Sequence, residues 1–293
     1  MFLIDGKVIS KSIEEQIALD TLKLINESGI TPGLAVVLVG DDPASTYYVK
    51  AKEKACQRLG FKSVKHHLNE DTSQEELLAL INTLNLDGSI HGILVQLPLP
   101  KQMDEQKVIE TISPKKDVDG FHPISVGRMV IGLSSPAPCT PSGVIEMLIH
   151  NKIQTKGKEV VIVGRSNIVG KPLANLMLQK REGGDSIVTI AHSAADDLAS
   201  ITKRADILIV AIGKPNFITA DMVKDNAIVI DVGINRIEDS SSEKGYRIVG
   251  DVDFENVKDK CIAITPVPGG VGLMTIAMLM KNTLRAAKGE FSY

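Results

Sequence analysis

Short apolar runs alternate along the chain with longer stretches whose apolar positions recur every three to four residues. This alternation predicts an α/β protein with parallel sheets, because parallel strands need crossover segments and become buried on both faces. In the first half the pattern predicts a helix over 10–28, stopped by Gly29, and a buried strand over 34–39. A second helix is expected over 43–59, with Asp42 as N-cap, Pro43 at the first helical position and Gly60 closing it. A strand over 63–68, a helix over 73–86 and a strand over 92–96 follow. The last of these runs into Leu97-Pro98-Leu99-Pro100, where two close prolines stop strand and helix alike and force an ordered loop.

Residues 113–143 are the least regular stretch, holding Pro114, Pro123, Pro136, Pro138 and Pro141, and the crossing between two domains is expected there. A helix over 142–150 should bridge it. Buried-strand patterns then recur at 160–163, 187–191, 207–212 and 228–232, the earlier ones separated by helical stretches as in βαβ units. A last helix, over 275–288, follows a glycine-rich turn. Its apolar residues point in more than one direction, so it should be covered by other elements.

A length of 293 residues suits two domains, and 43% hydrophobic with 24% charged residues is an ordinary globular mixture. With a net charge of −3 there is no basic field for nucleic acid or an anionic membrane, so a small-molecule partner is expected. Cys56, Cys139 and Cys261 are odd in number, far apart and without a C-x-x-C pair, which fits a reducing compartment rather than disulfides or zinc. The histidines lack metal-binding spacing, so no metal is expected. The opening Met-Phe-Leu-Ile-Asp-Gly turns polar at Asp5, and neither a signal peptide nor a membrane-spanning run is expected.

The strongest local motif is V-V-I-V-G-R-S-N-I-V-G-K-P at 160–172. A strand ends at Gly164, a tight turn follows, and a helix opens near Gly170, whose lack of a side chain permits close helix–strand approach. Backbone N–H groups at a helix start favour a phosphate. Ser166 stands where the usual G-x-G-x-x-G fingerprint has its middle glycine. A P-loop is excluded: five residues separate the glycines, and Pro172 follows the lysine where Ser or Thr would hold magnesium. An NAD site usually has an acid at the end of the second strand, to bond the ribose 2′-hydroxyl. Here that strand ends Ala191-His192-Ser193, and Asp185 lies at the opposite end. Arg165 in the turn can pair with a 2′-phosphate, which favours NADP.

On the substrate side, Tyr48 and Lys52 sit four apart on one helix face, the first able to stack on a flat ring and the second able to move protons. Gln96 ends a buried strand where ligand-facing residues gather in α/β folds, and could equally cap a turn. K-D-V-D-G-F at 116–121 offers two carboxylates, Asp117 and Asp119, which in an extended segment would point to opposite sides. Divalent-metal binding there would lack ligands. P-V-P-G-G-V-G at 266–272 is stiff and then flexible, and adjacent glycines allow backbone to approach a ligand.

Six ordered motifs resemble one family over nearly the whole chain: G-D-D-P-A-S-T-Y-Y-V-K-A-K, V-Q-L-P-L-P, K-D-V-D-G-F, P-C-T-P-S-G, V-G-R-S-N-I-V-G-K-P and P-V-P-G-G-V-G. The family is bifunctional methylenetetrahydrofolate dehydrogenase/methenyltetrahydrofolate cyclohydrolase. The resemblance implies a folate-binding catalytic domain over 1–140 and a Rossmann-like, doubly wound NADP domain over 141–269. It also implies a C-terminal segment, 270–293, whose helix returns to the first domain. It makes Lys52 the catalytic lysine, Tyr48 a stacking partner of the folate, Gln96 the residue that positions Lys52, and Asp119 the acid on the pterin edge. Pro268, Gly269 and Gly270 are implied on the substrate side, and Gly164, Arg165, Ser166, Ser193 and Ile234 as cofactor contacts. A cytoplasmic homodimer acting on tetrahydrofolate derivatives in one-carbon metabolism is implied as well. Leu273 departs from the pattern, since the family usually has proline after P-G-G-V-G. Two rival readings are an NADP dehydrogenase of shikimate type and a noncatalytic nucleotide-sensing module.

Overall fold

A computed structural model describes residues 1–242 and 245–291. The chain divides into two compact units, one of Met1–Ser10 with Thr140–Thr275, the other of Lys11–Cys139 with the segment from Ile276 onward. Met1–Ser10 group with the second stretch in this division, whereas the resemblance implies a first domain over 1–140. Phe2–Leu3 forms a short strand parallel to Cys261–Ile264, with Phe2 opposite Ala263, and Ile4 N–H donates to the Ile264 carbonyl at 2.9 Å. A two-residue strand carries too little pattern to be read from sequence.

The unit built on Lys11–Cys139 has a three-stranded parallel sheet in the order Lys62–Leu68, Gly33–Val39, Gly92–Val95. All seven residues of the central strand are buried, because both faces are covered. Leu34, Val36 and Leu38 join one core with Val49, Cys56 and Leu59 of helix Pro43–Leu59 and with Met278, Leu279 and Met280 of the last helix. Ala35, Val37 and Val39 join another with Leu77, Ile81 and Leu84 of helix Gln74–Leu86. The period-two alternation of a strand thereby sorts one run of apolar residues into two cores. The expected return of the C-terminal helix to this unit is observed.

The other unit carries six strands in the order Phe2–Leu3, Cys261–Ile264, Ala227–Asp231, Ile207–Val210, Glu159–Val163, Ile187–Ala191, all pairs parallel. From Glu159–Val163 the chain first builds outward to Ile187–Ala191 and then returns to build the opposite way. The strand order therefore reverses at the carboxyl end of Val163, the place where open α/β sheets bind ligands. This is the doubly wound arrangement expected.

Several boundaries differ from the sequence pattern, each for a local reason. The first helix starts at Gly6 rather than residue 10, because the Asp5 carboxylate accepts from Lys7 N–H at 2.8 Å. The proline-rich stretch contains a helix, Pro123–Val130, with Pro123 in its first turn and His122 Nδ1 accepting from Ile124 N–H at 3.0 Å. The bridging helix is Cys139–His150, with Pro141 inside its first turn rather than before it. The last helix begins at Val271 and ends at Ala287. Helix Glu105–Thr111 and the antiparallel pair Asn235–Glu238 with Tyr246–Val249 were not expected.

Candidate active site

Helix Pro43–Leu59 is started by the Asp42 carboxylate, which accepts from Ser45 N–H at 2.7 Å, and is closed by Gly60. Its buried positions, Ser45, Val49, Lys52, Cys56 and Leu59, recur at helical spacing. Lys52 lies on this core-facing stripe and is only 9% exposed. A buried ammonium needs a partner. The Lys52 amine donates to Gln96 Oε1 at 2.8 Å, while Gln96 Nε2 donates to the Leu97 carbonyl at 2.7 Å. Gln96 is held in turn by its own N–H, which donates to the Val37 carbonyl at 2.8 Å, just past the end of strand Gly92–Val95. Tyr48, one helical turn before Lys52, remains 38% exposed and meets Tyr47 edge-on with ring centres 5.8 Å apart.

The two acids of K-D-V-D-G-F do different things. The segment is a turn after a short 3₁₀ helix, Pro114–Lys116, and not the extended segment in which the two acids would point to opposite sides. Asp117 is buried, and its carboxylate accepts from Gly120, Phe121 and His122 N–H at 3.2, 3.2 and 2.9 Å. Its oxygens hold the turn shut. Asp119 is half-buried, 3.9 Å from the Cys139 thiol, which donates more closely to the Val118 carbonyl at 3.4 Å.

Burial lowers the pKa of Lys52, an effect opposed by the nearby Asp119 carboxylate and Cys139. Burial also pushes Asp119 up to about 6, with Asp117 adding to the shift and Lys52 opposing it. The Cys139 thiol is pushed well up, first by burial and then by Asp119. A lysine and a carboxyl group are thus both drawn toward the neutral range, the condition for proton transfer near pH 7.

The turn at 164–170 lies at the switch point of the six-stranded sheet. Gly164 has φ +129°, and a Cβ there would collide with the Ala211 carbonyl; one at Gly170 would collide with the Gly164 carbonyl. Gly170→Ala should therefore force this backbone apart, costing about 1–3 kcal/mol. Thermal unfolding and NADP titration of that variant should both weaken, and unchanged values for both would contradict this geometry. Ser166, in the place of the middle glycine, accepts from Val169 and Gly170 N–H at 3.1 and 3.4 Å. Two N–H groups at the start of helix Gly170–Leu178 are thus already partnered, and the serine O–H is left to donate to a phosphate oxygen. Arg165 is exposed, with Nη1 3.4 Å from His192 Nε2 at the end of strand Ile187–Ala191, and Ser193 is the exposed next residue. Ile234 is 50% exposed just past strand Ala227–Asp231.

The structure joins Lys52, Gln96, Asp119 and Cys139 in one unit, and Gly164, Arg165, Ser166, Ser193 and Ile234 in the other. Pro268, Gly269 and Gly270 fall in the latter, in a turn containing a cis Val267–Pro268 bond. Leu273 lies inside the last helix and is 41% exposed. In the sequence Cys139 reads only as a redox marker, although it stands in P-C-T-P-S-G, and nothing there marks His192 as the neighbour of Arg165.

A doubly wound sheet with a glycine turn at its switch point, in a chain that also carries a buried lysine held on a glutamine with an aspartate nearby, defines a nucleotide-dependent enzyme of two domains. Residues 4–119 match the tetrahydrofolate dehydrogenase/cyclohydrolase catalytic domain, and residues 138–291 match the NAD(P)-binding domain of the same family. The chain belongs to the tetrahydrofolate dehydrogenase/cyclohydrolase family. It is 54% identical over 290 residues to the bifunctional protein FolD of Campylobacter hominis, covering 99% of this chain and 98% of the relative. The structure of the bifunctional enzyme FolD from Campylobacter jejuni superposes with a TM-score of 0.93 at 51% identity, covering 99% of this chain and all of the other. A methylenetetrahydrofolate dehydrogenase-cyclohydrolase from Trypanosoma brucei, solved with NADP and an inhibitor, gives 0.92 at 37% identity, covering 99% and 98%. A shikimate dehydrogenase from Aquifex aeolicus gives only 0.51 at 10% identity and shares the fold alone, so the shikimate-type reading is not favoured.

Proposed function

We propose that this enzyme oxidises 5,10-methylenetetrahydrofolate with NADP and then hydrolyses the methenyl product to 10-formyltetrahydrofolate. The observation that carries the reading is the buried Lys52 amine held on Gln96, with the Asp119 carboxylate close enough to shift its pKa. When bound, the nicotinamide accepts the hydride that leaves the one-carbon bridge. The cation left behind is shared by the two nitrogens flanking that carbon, so no base need act in this step. What the chain supplies is orientation, through Tyr48 against the flat ring and Asp119 on the pterin edge.

Hydrolysis is different, because protons must move. Water adds to the cationic carbon and loses a proton. One carbon–nitrogen bond then breaks as the added hydroxyl gives up its proton to become the formyl carbonyl, the departing nitrogen takes up a proton, and one proton is released overall. Lys52, with its pKa lowered by burial, is the group suited to relay these protons, and Gln96 fixes where its nitrogen sits. The test is a spectrophotometric assay with methylenetetrahydrofolate and either cofactor, followed by detection of the formyl product without acid. Absence of formyl product would leave only the dehydrogenase half.

For the cofactor, Arg165 with His192 behind it suits a 2′-phosphate, which fits NADP over NAD. Arg165→Ala should weaken NADP by about one to two orders of magnitude, the worth of a charge-assisted contact, while NAD changes little. Equal losses in parallel titrations would mean that Arg165 holds the pyrophosphate or the fold. Among the described residues no helix is long and apolar enough to cross a membrane. The family resemblance supports a homodimer in the cytoplasm, with folate derivatives and not nucleic acid as partners; sedimentation in solution tests the dimer.

A further inference from the structure

Two carboxylates in the nucleotide unit, Asp231 and Asp251, are buried, and the hydrogen-bond donors on both are N–H groups rather than cations. Asp251 is fully buried. One of its oxygens accepts from Ile212 and Gly213 N–H at 2.7 and 3.0 Å, the other from Lys214 N–H at 2.8 Å and Asn235 Nδ2 at 2.9 Å. One carboxylate thus ties the turn after strand Ile207–Val210 to the turn after strand Ala227–Asp231. Both turns leave the carboxyl ends of parallel strands, the ligand-facing edge of such a sheet. Ile234, the expected cofactor contact, is the immediate neighbour of the tied Asn235.

Asp251 is itself held by Asp231, whose carboxylate accepts from the N–H groups of Gly233, Asp251 and Val252, each at 2.9 Å. Asp231 N–H donates to Thr265 Oγ at 2.7 Å. The fit leaves no slack, since a Cβ at Gly233 would collide with the Asp251 carboxyl, and one at Gly250 with that of Asp231. Burying two like charges side by side is costly, and burial together with Asp251 pushes Asp231 up to about 6. Apolar side chains in this volume would leave those N–H donors without acceptors, so the two turns keep their places only while the carboxylates are there. What an acceptor-only group adds is a fixed direction for several N–H donors at once.

We propose that Asp251, braced by Asp231, is a positioning residue for the dehydrogenase step: it sets the 212–214 and 234–235 backbone against which the dinucleotide lies. The inference rests on the function proposed above, and the two fail in different ways, because wild-type turnover of each step is measured first. Asp251→Asn keeps the shape but turns an NH₂ group toward N–H donors. It should raise the NADP KM about tenfold or more and lower the dehydrogenase kcat, while cyclohydrolase turnover, which uses no nucleotide, stays within about threefold of wild type. Should Asp251→Asn not fold, Asn235→Ala removes only the tie to the second turn. It should give the same split at several-fold in NADP KM, with an unchanged melting temperature. Proportional loss of both activities in Asp251→Asn, or an unchanged NADP KM in Asn235→Ala, would overturn the proposal.

Discussion

Lys52→Gln should abolish methenyltetrahydrofolate hydrolysis while leaving the fold and much of the folate binding in place. General acid–base assistance typically contributes about 100- to 10,000-fold, and the cyclohydrolase rate should fall by that order. Glutamine matches the reach of lysine to within one atom and can still donate to Gln96 Oε1, so the hydrogen bond that ends the buried stem need not be lost. It cannot take up and release a proton. Removing a buried cation also relieves the desolvation that lowers the pKa of Lys52, so the variant should be no less stable than wild type. The Asp119 carboxyl loses an opposing positive charge and should ionise less readily, moving the acid limb of folate binding upward in pH. Single-turnover hydrolysis, with folate titration beside it, separates these effects. Hydrolysis near the wild-type rate would remove Lys52 from its assigned role.

Where the sequence was legible and where it was not follows from the range of each signal. Helix Pro43–Leu59 was readable to the residue, because its cap, proline and closing glycine are all local chemistry. Buried strands such as Gly33–Val39 were readable because a sheet covered on both faces needs an unbroken apolar run. Phe2–Leu3 was not, since its only reason to be a strand is a partner about 260 residues away at Cys261–Ile264. Helix Pro123–Val130 is hidden because prolines read as breakers, whereas Pro123 occupies the first turn, where proline is at home. In the site, the motif order pointed to Lys52, Gln96 and Asp119 together. The motif could not show that Ser166 would fill the N–H groups at the helix start with its own hydroxyl, because that depends on how one turn folds on itself. Nor could the pairing of Asp231 with Asp251 be read, since it joins two strand ends twenty residues apart through a core.

Asp119→Asn should damage both activities, and Asp117→Asn should damage stability instead. The pterin edge presents a ring N–H beside an amino group, and a carboxylate can accept from both at once. Asparagine would keep one acceptor and set an NH₂ against the pterin amino group. With charged hydrogen bonds worth about 1.5–3 kcal/mol, kcat/KM should fall by roughly ten- to a hundredfold in both steps, while NADP binding persists. Proton linkage gives a second handle. Asp119 is held at about 6 in the free protein, so folate affinity should decline as pH falls through that value and the acceptor is lost. Bound pterin N–H groups favour the charged form and lower the carboxyl pKa, so the acid limb of kcat should lie at lower pH than that of kcat/KM. For folding the sign is opposite. A carboxyl whose pKa is raised from 3.8 to about 6 contributes stability that is present below 3.8 and fades as pH rises through 6. Asp117 accepts from three backbone N–H groups that close the turn, and an asparagine there leaves part of that set facing a donor. Its variant should lose about 1–3 kcal/mol of stability and change turnover only as far as the turn loosens. Folate KM, kcat, NADP affinity and denaturant midpoints for the two variants decide between them. A kinetically silent Asp119→Asn beside an inactive but fully stable Asp117→Asn would reverse the assignment.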